Sequence, residues 1–414
     1  MDSWSNDRFA INTKTRETRK IVHSWKKTFV SAFIAQIFSI VGFAFAMPFL
    51  PFYIGELGVE DKTEQTFLAG VVMAASGLTF SIFAPIWGIL ADKYGRKPMV
   101  IRSMFAGTIV LLLMSVVQTV PQLIICRLLQ GSLTGTIAAS IALVASVSPD
   151  RRSGFTLGMM QTAVYLGVSL GPLLGGAVAD TLGYRAAFRV GALVIFMGGA
   201  LVLMGTREEF SSPDTETLGK TSFANILKSP GFIVPVLVLF SIRLSITIAN
   251  PSFPLIVENI VGAKKQLNTI TGSIVAIAAV AGAFSSALLG HFGDTWGHKR
   301  TLIGCSLGAA TAAYAHAPAV TISQMFVARA FFGLAIGGMI PAANSMIKKS
   351  IHHAGIGKAY GLATSISMLG IAIGPVFGGT IGSAIGLRAP FIVTAIAQVG
   401  VCLLVISLVK NRTT

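Results

Sequence analysis

Charged residues are scarce in this chain. They make up 12% of its 414 residues, while hydrophobic residues make up 53%. Soluble globular proteins carry about a quarter of their residues as charged side chains, because those side chains cover the surface that faces water. So little charge cannot cover a soluble surface of this size. The composition therefore indicates an integral membrane protein.

Cysteine is nearly absent, and so are the common signatures of enzymes. Cys126, Cys305 and Cys402 lie in separate apolar stretches, at spacings that fit neither a metal site nor a thiol pair. The sequence has no glycine loop followed by a Walker lysine, no His-Glu-x-x-His and no nucleotide fingerprint after a strand. We therefore expect no enzymatic activity, no metal, no cofactor and no ATP-driven step.

The apolar residues are gathered into about twelve stretches, each near the roughly 20 residues that a helix needs to cross the hydrocarbon core. Such stretches are too long for strands, so we predict an all-α membrane protein. The predicted spans are 28–52, 67–90, 98–118, 122–146, 155–180, 185–205, 231–257, 268–292, 299–316, 321–346, 357–384 and 388–409.

The excess of basic residues indicates orientation in a membrane. The chain has 32 Lys and Arg against 16 Asp and Glu. With a cytoplasmic N-terminus, about 22 of the 32 fall on the cytoplasmic side and about six on the outer side, which is the positive-inside pattern. The other four, Arg102, Arg127, Arg243 and Arg329, lie inside spans.

No basic stripe with interleaved aromatic residues exists, so we expect no nucleic-acid partner. The partner that the charge fits is the lipid bilayer with its anionic headgroups. We therefore predict a multi-pass protein of the plasma membrane, the inner membrane of a bacterium, with both termini cytoplasmic.

The second half of the chain repeats the landmarks of the first at an offset of about 202 residues. Six spans in each half is an even number, so both halves cross the membrane in the same direction, as parallel repeats of transporters do. The matching landmarks are Pro48 and Pro51 with Pro251 and Pro254, Gly88–Lys97 with Gly290–Lys299, Arg127–Gly131 with Arg329–Gly333, and Gly171–Gly176 with Gly374–Gly379.

This repeat predicts five segments. They are a basic cytoplasmic arm at 1–27, a six-helix half at 28–205, a polar cytoplasmic linker at 206–230, a second six-helix half at 231–409 and a cytoplasmic tail at 410–414.

Two motifs stand out within the first half. The connection after span 2 has a carboxylate among cations and glycines that permit a tight turn, although an ordinary basic hairpin would look the same. Its residues are Gly88, Asp92, Gly95, Arg96 and Lys97. Span 5 has one face of small residues, which either lets another helix approach closely or reflects ordinary tight packing. This second motif comprises Gly167, Gly171, Pro172, Gly175 and Gly176.

Taken together, the motifs resemble those of the major facilitator superfamily over nearly the whole chain. Residues 42–51 match the span-1 pattern of its twelve-span drug:proton antiporter branch, and residues 167–176 match the antiporter motif of that branch. The stretch 47–58 is similar to bacterial multidrug exporters of the MdtG type. The resemblance implies a secondary active transporter that exports small amphipathic molecules in exchange for protons by alternating access. We expect it to act as a monomer.

The resemblance also implies roles for particular residues. Asp92 is expected to meet a helix N-terminus of the opposite half and to latch the cytoplasmic side, a contact that the helix dipole favours. The second copy keeps Asp294 but has Thr295 and His298 in place of Lys93 and Arg96, so its latch is expected to be weaker.

The central cavity of the family is lined by spans 1, 4, 7 and 10, with contributions from spans 2, 5, 8 and 11. Polar and aromatic residues at mid-depth on these spans are substrate-binding candidates, although each could equally serve helix packing. The candidates are Gln36, Phe43, Arg127, Gln130, Thr134, Gln161, Tyr165, Arg243, Asn250, Phe253 and Asn344.

Proton coupling is harder to place, because span 1 lacks the embedded acid of several drug antiporters in this family. The acids nearest to membrane depth lie at the ends of spans, and Glu258 and Asp92 are the coupling candidates. Arg243, near the middle of span 7, either bonds to backbone carbonyls or binds an anionic group of the substrate.

Three other functions fit the same pattern. The chain could export an endogenous anionic or zwitterionic metabolite such as a siderophore, import by symport, or serve as a receptor or scaffold without transport, since a fold does not dictate a function. The antiporter motif of span 5 favours export.

Overall fold

The structure is a computed structural model that describes residues 25–149, 152–208, 230–262, 266–350 and 356–408. In these ranges the chain is helical, and its helices group into twelve long elements joined by short turns. Most of the predicted arm, linker and tail lies outside the described residues.

Eleven of these elements are long and apolar enough to cross a membrane. The exception is α9, whose first turn contains His298, Lys299 and Arg300. The helices are α1 Trp25–Glu56, α2 Lys62–Tyr94, α3 Arg96–Met114, α4 Val120–Val147, α5 Ser153–Leu182, α6 Tyr184–Gly205, α7 Phe232–Val261, α8 Leu267–Trp296, α9 His298–His316, α10 Ile322–Ile347, α11 Ile356–Ala384 and α12 Ala389–Leu408.

Successive helices alternate in direction, so α1 begins and α12 ends at the same face of the bundle. We call this the terminal face and the opposite one the distal face. Helices α2 and α8 begin at the distal face, while α5, α7 and α11 end there. Helices α1–α6 form the first half and α7–α12 the second.

Proline breaks the first helix of each half at the equivalent place. In α1 the helix turns at residues 45–46 and continues through a short 3-10 segment at Met47–Phe49. In α7 the break lies at residues 249–252, and the helix resumes at Phe253. Pro48 and Pro254 stand at the start of the segments that follow, where the missing N–H costs nothing. The duplicated prolines thus produce the same break twice.

Glycines bring helices of the same half into backbone contact. A side chain at Gly175 of α5 would overlap the Phe45 carbonyl oxygen of α1, and one at Gly378 of α11 would overlap the Ile248 carbonyl oxygen of α7. The close approach that the small face of span 5 predicted is therefore observed between α5 and α1.

Each half has its own apolar core. Buried side chains of the first half include Tyr53 and Phe188, and those of the second half include Phe232. A third cluster lies at the distal end of the second half around Phe253, and Phe52 of the first half packs against it. Large apolar side chains on the outer surface are exposed, as lipid-facing positions require.

We predict that Gly175→Ala destabilises the protein, because the added methyl group has no room beside α1. Overpacking of this kind costs about 1–3 kcal/mol, which exceeds the roughly 0.5–1 kcal/mol that Ala gains over Gly within a helix. The measurement is the midpoint of thermal unfolding in detergent.

The matched control is Gly400→Ala in α12, where nothing lies within 4 Å of the added atom. That variant should be as stable as the original or slightly more so. Equal unfolding temperatures for the two variants would contradict a close contact between α1 and α5 at Gly175.

Candidate functional site

At the distal face, hydrogen bonds between α5 and α8 join the two halves. The Asp180 carboxylate at the end of α5 accepts hydrogen bonds from the backbone N–H groups of Asn268 and Thr269, at 3.0 and 2.7 Å. It also accepts bonds from the Asn268 amide and the Thr269 hydroxyl, at 2.9 and 2.6 Å. These donors form the first turn of α8, so an anion of one half caps a helix N-terminus of the other.

Two further contacts surround this cap. The Tyr184 hydroxyl of α6 lies 3.2 Å from the Asn268 side-chain nitrogen. Lys62, at the start of α2, forms an ion pair with Glu258 of α7. The side chains of the ion pair are 47% and 21% exposed, so water weakens their attraction.

Helices α2 and α11 form the second contact between the halves. It is made by backbone and small side chains, because side chains at Gly70 or Gly77 of α2 would overlap Pro375 or crowd Ala372 of α11. The equivalent contact between α5 and α8 includes Gly272 of α8, which lies against the Pro172 carbonyl oxygen.

The contacts between the halves continue from the distal face to mid-depth. The Ser169 hydroxyl of α5 donates to the Ala276 carbonyl oxygen of α8 at 3.4 Å. One turn nearer the terminal face, the Tyr165 ring edge lies 3.8 Å from the position that a side chain at Gly282 would occupy. Beyond this level, Gly88 of α2 and Gly158 of α5 have open space around them.

The antiporter-motif residues serve two interfaces at once. Gly167, Gly171 and Gly175 face α1 of the same half, while Gly176 faces the Asn268 backbone of the second half. Pro172 lies within α5 and its carbonyl oxygen points at α8. The motif thus lies on the side of α5 that contacts both α1 and α8.

The hairpin after α2 is anchored within its own half. Gly95 has a φ of 97°, which favours glycine, and Gly297 holds the equivalent position with 96°. Glu208 accepts the backbone N–H groups of Arg96 and Lys97 at 2.9 and 2.7 Å, and so caps α3. The Lys97 ammonium donates to carbonyl oxygens at the end of α6.

Asp92 itself points into open space. Its side chain is 62% exposed and its partner is Arg96, at 3.4 Å on the same hairpin. Among the described residues, which leave out 351–355 just before α11, no helix N-terminus of the second half contacts Asp92. The side chain of Asp294 lies outside the described part of the chain, so the latch assignment of both acids stays a prediction.

Several mid-depth candidates are engaged in packing within the first half. Arg127 donates to the carbonyl oxygens of Val72 at 3.1 Å and Met73 at 3.3 Å, and its guanidinium also reaches Gln130. The Phe43 ring lies against Gly107 of α3. Their role in substrate binding stays a prediction.

Other candidates are less occupied. Gln36 is fully buried, and neither atom of its amide has a hydrogen-bond partner in the described chain. Gln161 is exposed, Asn250 lies in the break of α7, and Tyr165, Arg243 and Asn344 are partly buried. The Nε of Arg243 is enclosed and has no hydrogen-bond partner among described residues.

Asp180 and Lys62 were not among the predicted site residues. A sequence signal for Asp180 did exist, because an acid follows the glycine motif by four residues and the second half has Ser383 at the equivalent position. Sequence alone could not tell that α8 begins beside it.

Comparison with known proteins agrees with this architecture. The family model of the Major Facilitator Superfamily matches residues 32–242 and again 235–414. Two solved structures share the fold: the human organic anion transporter MFSD10 (TETRAN), with a TM-score of 0.70 and 14% identity, and the nucleoside transporter NupG, with 0.73 and 12%. Each similarity covers 92% of this chain, and 99% and 100% of those chains, respectively.

Sequence relatives align over nearly the full length. The multi-drug resistance efflux pump PmrA of Streptococcus pneumoniae is 30% identical over 94% of this chain and 97% of its own. The multidrug resistance protein MdtG of Enterobacter lignolyticus is 33% identical over 90% of both chains, and that of Escherichia coli is 32% identical over 90% of this chain and 92% of its own. The chain therefore belongs to the major facilitator superfamily and is a multi-pass membrane transport protein.

Proposed function

We propose that this protein exports small amphipathic molecules in exchange for protons by alternating access, from the cytoplasm across the plasma membrane of a bacterium. The observation that carries the proposal is the alignment with PmrA and MdtG over 90% or more of the chain. The antiporter motif supports it, because its glycines lie where α5 contacts α1 and, across the interface between the halves, α8.

The distribution of basic residues supports a cytoplasmic terminal face and an external distal face. On that assignment the described contacts between the halves lie externally, and Gly88 and Gly158, nearer the cytoplasmic side, have no atom within 4 Å of an added side chain. This arrangement suits uptake of a substrate from the cytoplasm. Export then requires the distal contacts to break and the terminal face to close.

Asp180 is the stronger of the two polar locks on the distal side. Hydrogen bonds to a charged group contribute about 1.5–3 kcal/mol each, and Asp180 accepts four of them from α8. An exposed ion pair such as Lys62–Glu258 contributes only about 0.2–1 kcal/mol. Opening toward the outside therefore depends chiefly on release of Asp180.

Glu258 is a gate rather than a carrier of protons in this proposal. A carrier must exchange protons with both sides of the membrane, whereas Glu258 lies at the distal face. Protonation from outside would remove the attraction to Lys62 and favour opening. Asp92, at the terminal face, would play the corresponding role there once the latch forms.

A second candidate, export of an anionic or zwitterionic metabolite, is favoured by one observation. Arg243 stands near mid-depth with no hydrogen-bonding partner among the described residues, so a negatively charged substrate group would be stabilised there.

Reconstitution in liposomes tests the proposal. With a proton gradient imposed across the membrane, we expect transport of amphipathic fluorescent dyes against their own gradient, and loss of that transport when a protonophore is added. Dye transport at the same rate with and without the proton gradient would contradict exchange for protons. Absence of transport for every dye would contradict export of amphipathic molecules.

We predict that Asp180→Asn shifts the protein toward the distal-open state by about tenfold or more, because the neutral amide loses charge-assisted bonds to α8. Glu258→Gln should shift it by about fivefold at most. The measurement is the distribution of distances between spin labels on the distal ends of the two halves.

Asp61→Asn is the matched control. Asp61 accepts the backbone N–H groups of Thr63 and Glu64, and so caps a helix on the same face but within one half. It should leave the distances unchanged. A larger shift in Glu258→Gln than in Asp180→Asn would reverse the ranking of the two locks.

We predict that Asp92→Asn lowers dye transport by about 2- to 30-fold, the range given by about 0.3–2 kcal/mol of carboxylate–helix attraction in the closed terminal face. Thermal stability should change little, since Asp92 is exposed here. Glu60→Gln, an exposed acid at the distal face, serves as the control. Normal transport by Asp92→Asn would exclude the latch.

A further inference from the structure

Arg243 occupies a crossing of helices near the middle of the bundle. It lies eleven residues beyond the start of α7 at Phe232, about 17 Å along the helix axis at 1.5 Å per residue. On the side of α11, a side chain added at Gly370 would lie 3.2 Å from the Arg243 Cβ. The base of the arginine is therefore held by the α7–α11 contact, while the residue stays partly exposed.

The guanidinium lacks any carboxylate that could neutralise it. No Asp or Glu occurs between Glu216 and Glu258, so α7 has no acid near the depth of Arg243. None follows Asp294 in the sequence, so α11 has no acid at any position. No acid lies between Asp150 and Asp180 of α5 either. An arginine stays protonated, and an unpaired charge at this depth is costly.

The other arginines within the spans have structural partners, and Arg243 differs from them. Arg127 is bonded to backbone carbonyl oxygens. Arg102 stacks on the Trp87 ring with its guanidinium carbon 3.2 Å from the ring centre, and Arg329 stacks on Phe253 at 4.4 Å. For Arg243 the described chain shows neither arrangement, and the alternative of bonds to backbone is not observed.

Packing does not require an arginine at this position. In the first half, Gly167 of α5 faces Ile40 of α1 in the same way that Gly370 faces Arg243. The repeat thus accommodates an aliphatic side chain at the equivalent crossing. A charged side chain here has to be explained by what it binds.

Tyr165 is a second polar group near mid-depth, within the 30-residue helix α5. It belongs to the opposite half and lies beside Gly282 of α8. Its hydroxyl can donate one hydrogen bond, and a guanidinium can donate two parallel bonds to a carboxylate.

We propose that Arg243 and Tyr165 form a subsite for an anionic group, foremost a carboxylate, of an amphipathic substrate. The inference deepens the proposed function by naming a substrate class. Because the two donors belong to different halves, an anion held by both joins the halves at mid-depth. The site therefore selects acidic or zwitterionic amphipathic molecules over purely cationic ones.

The test is equilibrium binding to the purified full chain in detergent, with two probes that differ only in charge: a fluorescent amphipathic carboxylic acid and its methyl ester. We expect Arg243→Gln to weaken binding of the acid by about 10- to 100-fold, the range of a hydrogen-bonded charge, and to leave the ester within about twofold. Tyr165→Phe should weaken the acid less and in the same direction.

Arg243→Ile, which copies the residue of the first half, controls for packing and should match Arg243→Gln. Arg243→Lys should retain part of the acid binding. An equal loss for acid and ester, no loss for either, or no binding of the acid by the original chain overturns the subsite.

Transport by the same variants separates this inference from the proposed function. If Arg243→Gln still exports cationic dyes and binds the acid normally, the subsite is wrong and export stands. If acid binding depends on Arg243 but no dye moves in liposomes, the subsite stands and export of amphipathic molecules is wrong.

Discussion

The carboxylate of Asp180 at the N-terminus of α8 is the strongest directional contact between the two halves in the described part of the chain, since it accepts four hydrogen bonds from α8. The glycine contacts between α2 and α11 and between α5 and α8 are nonpolar and change gradually as helices tilt. Hydrogen bonds to a carboxylate weaken steeply once distance or angle departs from the optimum. The cap therefore gives a sliding interface a defined end point.

The duplicated architecture makes the exceptions to the repeat informative. Ser383 stands where Asp180 does in the first half, and Ile40 stands where Arg243 does in the second. Both exceptions put a charge at an interface that the other half fills with a small or aliphatic group. The fold needs neither charge, since each half folds around its own apolar core. The departures from symmetry are thus the positions to which the proposed substrate binding and gating are assigned.

Much of the fold followed from the sequence, because its determinants are local. Runs of apolar residues predicted the helices, the duplicated prolines helped to predict the repeat, and the glycines of span 5 favoured a close helix approach. Contacts between distant segments were out of reach. Nothing in residues 260–270 indicates that Asn268 and Thr269 donate to Asp180, and nothing in span 1 indicates that Phe43 faces Gly107 rather than the interface between the halves.

The candidate site was predicted less well than the fold for the same reason. The sequence places a polar residue at mid-depth but does not show which neighbouring helix its side chain faces, because that depends on how the helices pack. Arg127 was a binding candidate and is bonded to Val72 and Met73. Arg243 was expected either to bond to backbone or to bind a substrate group, and it has no backbone partner in the described chain. Periodicity gives the depth of a residue but not its neighbours.

The position of the polar contacts at one end of long helices has a mechanical consequence. Helix α5 has 30 residues and is about 45 Å long, so a tilt about its distal end moves the opposite end by about 0.8 Å per degree. A rotation of about ten degrees then displaces the terminal end by about 8 Å, the width of a small aromatic molecule, while atoms near the pivot move by less than the length of a hydrogen bond. A small rotation at the distal end of a helix of this length therefore corresponds to a wide displacement at its terminal end.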